Sequence, residues 1–374
     1  MRTLVVSDLH LGGRTGVDVL RHEGVARERL LAALDGVDRL VLLGDLLELR
    51  HGPARDALAA AAPALQAMGE ALDPATEVVV VPGNHDHALL APWLDRTDKP
   101  LGLETRVKPT TASPIAAKVA GWLGKDRTSM AYPGVWLRDD VFATHGHVQD
   151  VHGTIPTFER LAAGAMQRIA GKVPEGPCTI EDYERVLAPI YAWIHSAAQR
   201  AQEGKRAAGA GGASRAYELL MGDGHKPIRA RAIAAAFPLG IRGLSLLVGP
   251  LSSDLSGDAL RRNALGALGE AIDRLGVRSS HVVSGHSHRA GPLPADDPHE
   301  WRTPHGVHLH NTGCWVYEGA LLSGGDPASP YWPGHAVVVE DEGPPRLERL
   351  LGDVELEALR PARSAPHPPE PDRG

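Results

Sequence analysis

Asp8 and His10 set a carboxylate and an imidazole two residues apart, and alternation along an extended chain turns both to one side, as a metal ion held by hard oxygen and nitrogen requires. Gly44-Asp45 adds a second carboxylate, and the glycine lets the backbone turn sharply enough to project it. Gly83-Asn84-His85-Asp86 adds a neutral amide oxygen beside a histidine, a ligand and a proton donor with no further negative charge between them. His145-Gly146-His147 and His286-Ser287-His288 complete the series. Singly, each is ordinary: Asp-x-His arises by chance, Asp45 would suit a helix N-cap, Gly-Asn an ordinary turn, and a lone histidine is more often packed or solvated. Their shared placement is what counts, because each follows an apolar run.

Those runs are the elements that must position them. Residues 4–6, 39–43 and 78–81 are short, rich in Val and Leu, and end in polar loops containing glycine. Segments 17–34 and 54–72 have the Leu and Ala content of covering helices, so the pattern predicts a largely parallel α/β sheet with its ligands at the carboxyl ends of the strands. A strand pair is expected at 135–137 and 141–143, with 138–140 as its turn. Helices are expected at 157–169, 180–202 and 257–275. Strands resume at 281–283, 307–310, 336–340 and 346–351. The simplest organisation is a core of residues 1–147 and 277–352, interrupted by a mostly helical cap insertion at 148–276. Residues 209–214 read as a loop, and the Pro-rich end, 361–374, as a disordered tail.

Composition narrows the function. The chain has 374 residues, 43% of them hydrophobic, enough for a substantial core. Its net charge of -7 argues against a general electrostatic grip on nucleic acid. Two cysteines far apart, Cys178 and Cys314, make neither a disulfide framework nor a cysteine-rich zinc site. The apolar stretch at 232–251 is broken by Pro238, Gly240, Arg242 and Gly243, which makes it a poor membrane span. With a strand at the very start and no cleavable signal before it, a cytoplasmic protein is expected, peripheral membrane contact aside.

In this order, Asp8-x-His10, Gly44-Asp45, Gly83-Asn84-His85, His145-Gly146 and Gly285-His286-Ser287-His288 resemble the motif set of the calcineurin-like metallophosphoesterases, over residues 1–147 and 281–352. The resemblance implies a four-layer α/β/β/α sandwich carrying two divalent metals. Asp8, His10 and His288 would hold one metal, Asn84, His145 and His286 the other, and Asp45 would bridge them. Mixed nitrogen and oxygen donors suit Mn, Fe, Zn or Co better than Ca or Mg. A pair of cations about 3.5–4 Å apart would make a nucleophile of a bridging water and clamp the phosphoryl oxygens. His85 would protonate the leaving oxygen or steady the transition state, with Asp86 or Glu48 orienting a histidine. His147 is either a phosphate contact or a solvated loop residue.

Substrate is less determined. Gly44-Asp45-Leu46-Leu47-Glu48 and Asn311-Thr312-Gly313-Cys314-Trp315 are similar to patterns in the UDP-2,3-diacylglucosamine pyrophosphatase branch, but His85 stands where that branch carries arginine. The departure favours a broader phosphoesterase or phosphodiesterase, acting on a phosphorylated small molecule, a nucleotide-linked or a lipid-linked substrate. Residues 233–251 would serve as the cap's own core or as a lid for an acyl chain. Two other classes compete: a non-catalytic metal-binding scaffold, disfavoured by the complete ligand set, and a nuclease-like activity, disfavoured by acidity and the lack of a basic-aromatic track.

Overall fold

The computed structural model describes residues 1–200 and 251–360, apart from 253, 255, 320, 323 and 324. The loop expected at 209–214, nearly all of the apolar run at 232–251 and the tail at 361–374 lie outside the described residues. Ten strands run through the described chain: β1 Thr3–Val6, β2 Arg39–Leu43, β3 Glu77–Val81, β4 Glu104–Val107, β5 Thr128–Arg138, β6 Val141–Thr144, β7 His281–Ser284, β8 His308–Asn311, β9 His335–Val339 and β10 Arg346–Arg349. Six helices of eight residues or more accompany them: α1 Val25–Ala33, α2 Ala54–Ala71, α3 Pro114–Leu123, α4 Phe158–Ala170, α5 Ile180–Arg200 and α6 Gly257–Arg274.

β1, β2, β3 and the start of β5 pair in parallel, with β9 and β10 added antiparallel beyond β1 and β4 antiparallel on β5. The far half of β5 pairs antiparallel with β6, after which β6, β7 and β8 are again parallel. β5 therefore belongs to both halves. Near its midpoint Gly134 passes so close to β6 that a Cβ there would sit 2.3 Å from the Ala143 carbonyl oxygen.

Strand alternation sorts the apolar residues into layers. Leu4, Val6, Leu40, Leu42, Val78 and Val80 face outward under α1, α2 and α3. Val5, Val41, Val79, Val135, Val283 and Val337 face inward and pack sheet against sheet. On the opposite outer surface, Phe142, Val282 and Leu309 are covered by Leu268 and Ile272 of α6. The order is helices, sheet, sheet, helix, the mixed α/β sandwich expected. No helix among the described residues is long and apolar enough to cross a membrane, and both cysteines are free.

One element departs from expectation. A helix was predicted across 17–34, yet it starts only at Val25. The preceding residues are committed to other partners. Val19 donates its N–H to the Trp315 carbonyl, Val17 accepts from Tyr317 N–H, and the Asp18 carboxylate takes up Gly12 N–H at 3.1 Å. β4 and α3 were not anticipated. The Ser113 hydroxyl starts α3 by accepting Ala116 N–H at 3.1 Å.

Because Phe142 is buried beneath α6, Phe142→Ala is expected to lower stability by about 3–5 kcal/mol, read from the denaturation midpoint. A loss under about 1 kcal/mol would mean that α6 does not seal that face.

Candidate metal centre

The parallel strands of the two halves bring their carboxyl ends to one place. β1 leads to Asp8 and His10, β2 to Asp45, β3 to Asn84 and His85, β6 to His145, and β7 to His286 and His288. The loops stay zipped past the strand ends: Asp8 N–H donates to Gly44 O, His10 N–H to Asp45 O at 2.8 Å, and Gly285 N–H to His145 O. Five of these side chains sit on left-handed backbone, with φ of 55° at Asp8, 45° at His10, 51° at Asp45, 67° at His286 and 59° at His288. Each such residue costs about 1–3 kcal/mol, so the surrounding structure must over-determine it. Two glycines make the approach possible. A Cβ on Gly44 would lie 2.2 Å from the His145 ring, and one on Gly83 would lie 2.2 Å from Asp45 Oδ1.

Two groups of donors result. His288 Nε2 lies 3.3 Å from Asp8 Oδ1 and 3.1 Å from His10 Nε2. His145 Nε2 and His286 Nδ1 each lie 3.2 Å from Asn84 Oδ1. Asp45 stands between the groups, its Oδ2 3.7 Å from His10 Nε2 and 3.3 Å from His145 Nε2, while its Oδ1 accepts His85 N–H at 2.8 Å. All seven residues named from the sequence are thus brought together. Asp8–His10–His288 and Asp45–His145–His286 each place their ligating atoms close enough to hold an ion.

Each histidine keeps one nitrogen for the centre and commits the other to an acceptor. His145 Nδ1 donates to the Leu43 carbonyl at 3.0 Å, and His10 Nδ1 pairs with Glu48 at 3.1 Å. His286 Nε2 pairs with Asp150 at 3.0 Å, and His288 Nδ1 with Glu318. Sequence motifs pointed to Glu48 but missed Asp150 and Glu318. Asp150 lies five residues past His145 with no spacing that marks it, and Glu318 reaches the centre through the loop after β8.

The charge balance explains what such a site wants. Asp8 and Asp45 are buried, and burial alone would raise both carboxyl pKa values; the imidazoles outweigh it, holding Asp45 well below the usual carboxylate range and Asp8 below it too. In return burial would strip His145 of its charge, but Asp45 pushes its pKa up to about 9. Protons on imidazole are what compensate these carboxylates among the side chains alone. Divalent cations would fit the same place, with four inward nitrogens, two carboxylates and an amide oxygen as donors. Asn84 fits this with its oxygen turned inward, since that oxygen then faces only acceptors. Turned over, the amide nitrogen would donate to those acceptors instead.

His85 sits at the rim, half-buried. Its Nδ1 meets Glu48 at 2.6 Å and its Nε2 meets Arg50 Nη1 at 3.1 Å, while Glu159 anchors Arg50 at 2.9 Å. Burial drives its pKa down to about 4 against the pull of Glu48. Two expectations need correction. Asp86 orients no histidine; it accepts the N–H groups of Leu46 at 2.8 Å, Leu47 at 3.2 Å and Gly83 at 2.7 Å, tying the β2 and β3 loops together. His147 is not solvated but buried behind His145, stacked on Tyr132. It does not line the cavity beside the centre, so the expected phosphate contact is not made from there.

The family model described as calcineurin-like phosphoesterase matches residues 1–178, just under half of the chain. Five of the seven clustered residues and His85 fall within the match; His286 and His288 lie beyond it and join the centre through β7. A comparison with curated proteins gives no match.

Since a Cβ at position 83 would collide with Asp45, Gly83→Ala is expected to empty the centre while far-UV circular dichroism stays native. Metal content per chain, measured by elemental analysis, should fall at least severalfold. Unchanged content would show that the close approach is dispensable.

Proposed function

We propose that this chain, whose residues 1–178 match the calcineurin-like phosphoesterase model, hydrolyses phosphoester bonds with two divalent metals held by the seven clustered residues. The placement of Asp45 between the two donor groups carries this reading, because one carboxylate within 3.7 Å of His10 and 3.3 Å of His145 suits a bridge. Asp8, His10 and His288 would hold one ion, and Asn84, His145 and His286 the other, from among Mn, Fe, Zn and Co. Bound cations would supply Lewis-acid activation of water and charge neutralisation at the phosphoryl oxygens.

The chain's own groups do the rest. Glu48 fixes both His10 and His85 through one carboxylate oxygen, so ligand geometry and rim geometry are set together. His85 faces the cavity beside the centre, with its Nε2 accepting from Arg50. Delivery of a proton from Nε2 would first require that hydrogen bond to break. Donation of an N–H from His85 to the phosphoryl group would need the same break, whereas Arg50, held by Glu159, already places a cation on the same rim. Of the two roles expected for His85, the arrangement supports charge steadying only through the Arg50 guanidinium that its Nε2 holds in place. We assign substrate choice to the loops and to the described parts of the segment at 148–276, α4 and α6 among them.

A chelator is expected to abolish turnover of a chromogenic phosphodiester, and Mn, Fe, Zn or Co to restore it. Asp45→Asn should lose both metal and turnover; near-normal turnover would overturn the bridging role. His85→Gln should keep its metal content while kcat falls about 10²-fold, the lower range for a group acting on the transition state. Loss of metal in that variant would instead make His85 a ligand.

A further inference from the structure

The donor cluster forms one end of a cavity of about 770 Å³ to which Asp45, Asn84, His85, His286 and His288 all contribute. That is in the range of pockets for whole small molecules, far beyond the space a phosphoryl group needs. Away from the centre its character changes. Ile155 and Leu161 line it from the entry to α4, Leu260, Ala264 and Leu268 line it from α6, and Trp301, packed with Leu268, lines it as well.

The charged groups along these walls are already engaged. Arg261 is held by Glu300 at 2.6 Å and Asp258 at 2.8 Å, and Arg289 by two oxygens of Asp296 at 3.0 and 2.5 Å while lying over Trp301. Arg160, buried, gives its Nε to the Gly153 carbonyl and leaves Nη1 unpartnered, one donor where a second phosphate would want several. A second phosphate would find few free charged partners here, whereas an apolar chain would leave water along the Ile, Leu, Ala and Trp part of the lining.

We propose that the cavity is a subsite for an apolar chain, so that the substrate is an amphiphilic phosphoester with its phosphoryl group at the donor cluster and an alkyl or acyl chain between α4 and α6. This rests on the phosphoesterase reading for the position of the phosphoryl group. The apolar lining is argued from described residues alone. α6 thereby has two duties: Leu268 seals the second sheet, and Leu260 and Ala264, a turn or two earlier, face the chain.

The test is calorimetric binding of methyl-, butyl- and octylphosphonate, below their micelle-forming concentrations, to the Mn-reconstituted protein. Affinity is expected to rise with chain length, at least about tenfold from butyl to octyl, within a full-burial limit of about fourfold per methylene. Ala264→Trp should remove that increment, bringing octyl close to butyl. Where this variant fails to fold, Leu260→Ser on the half-buried part of α6 should reduce the increment by about half. Equal affinity for all three phosphonates, or an increment that survives both substitutions, would overturn the proposal. Chain-length-dependent binding without hydrolysis of any phosphodiester would uphold the subsite and defeat the hydrolase reading. Hydrolysis with no chain-length effect on binding would do the reverse.

Discussion

Asp8 and Asp45 are carboxylates with almost no exposure, placed where two sets of parallel strands end. A buried charge left uncompensated costs several kcal/mol, and these two lie close enough to the same histidines to share them. Much of the local architecture answers that constraint. Asp8 accepts the His286 N–H at 3.0 Å, which links the first strand of one half to the last ligand loop of the other. Asp45 accepts the His85 N–H, and the glycines before both aspartate and asparagine let the backbones close in. The left-handed residues are strained for the same reason. Regular strand ends would point these side chains apart, and only a sharp turn after each strand brings them to a common centre.

What could be read from the sequence divides along the range of the interactions. Strand, turn and ligand occur within four or five consecutive residues, so Val6 to His10 or Val81 to His85 carry their own signal. The same holds for α2 and α4, whose starts and apolar faces are local. Asp150 and Glu318 had no such signal, because their pairing with His286 and His288 exists only once distant loops meet. The misplaced start of α1 has the same origin: Val17 and Val19 lie in a segment of helical composition, but their backbone hydrogen bonds go to the loop containing Trp315. His147 looked like an exposed loop residue because it follows a glycine, and Tyr132, 15 residues earlier in the chain, covers it.

The histidines also show how one residue type serves different ends. His10, His145, His286 and His288 present one nitrogen inward because the other is fixed, so their tautomers are set before any ion arrives. His85 is held at both nitrogens, by Glu48 and Arg50, and is the one neighbour of the centre whose ring belongs equally to the cavity. His335, by contrast, donates to the Trp332 carbonyl inside the core and takes no part in the site. Histidine content alone could not separate these cases; where the second ring nitrogen points does, toward Asn84 in His145 and to no partner in His335.

The position of β1 in its sheet has a consequence in time. It lies between β2 and β9, so Thr3 to Val5 find their second partner only in Val337 to Val339. At about 5–20 residues per second of synthesis, the chain grows for tens of seconds before that partner emerges. Through that interval one side of β1, Thr-Leu-Val-Val, is an open edge, the kind of surface that recruits stray strands from other molecules. A strand made so long before its partner is therefore closed late, and its protection depends on the arrival of β9.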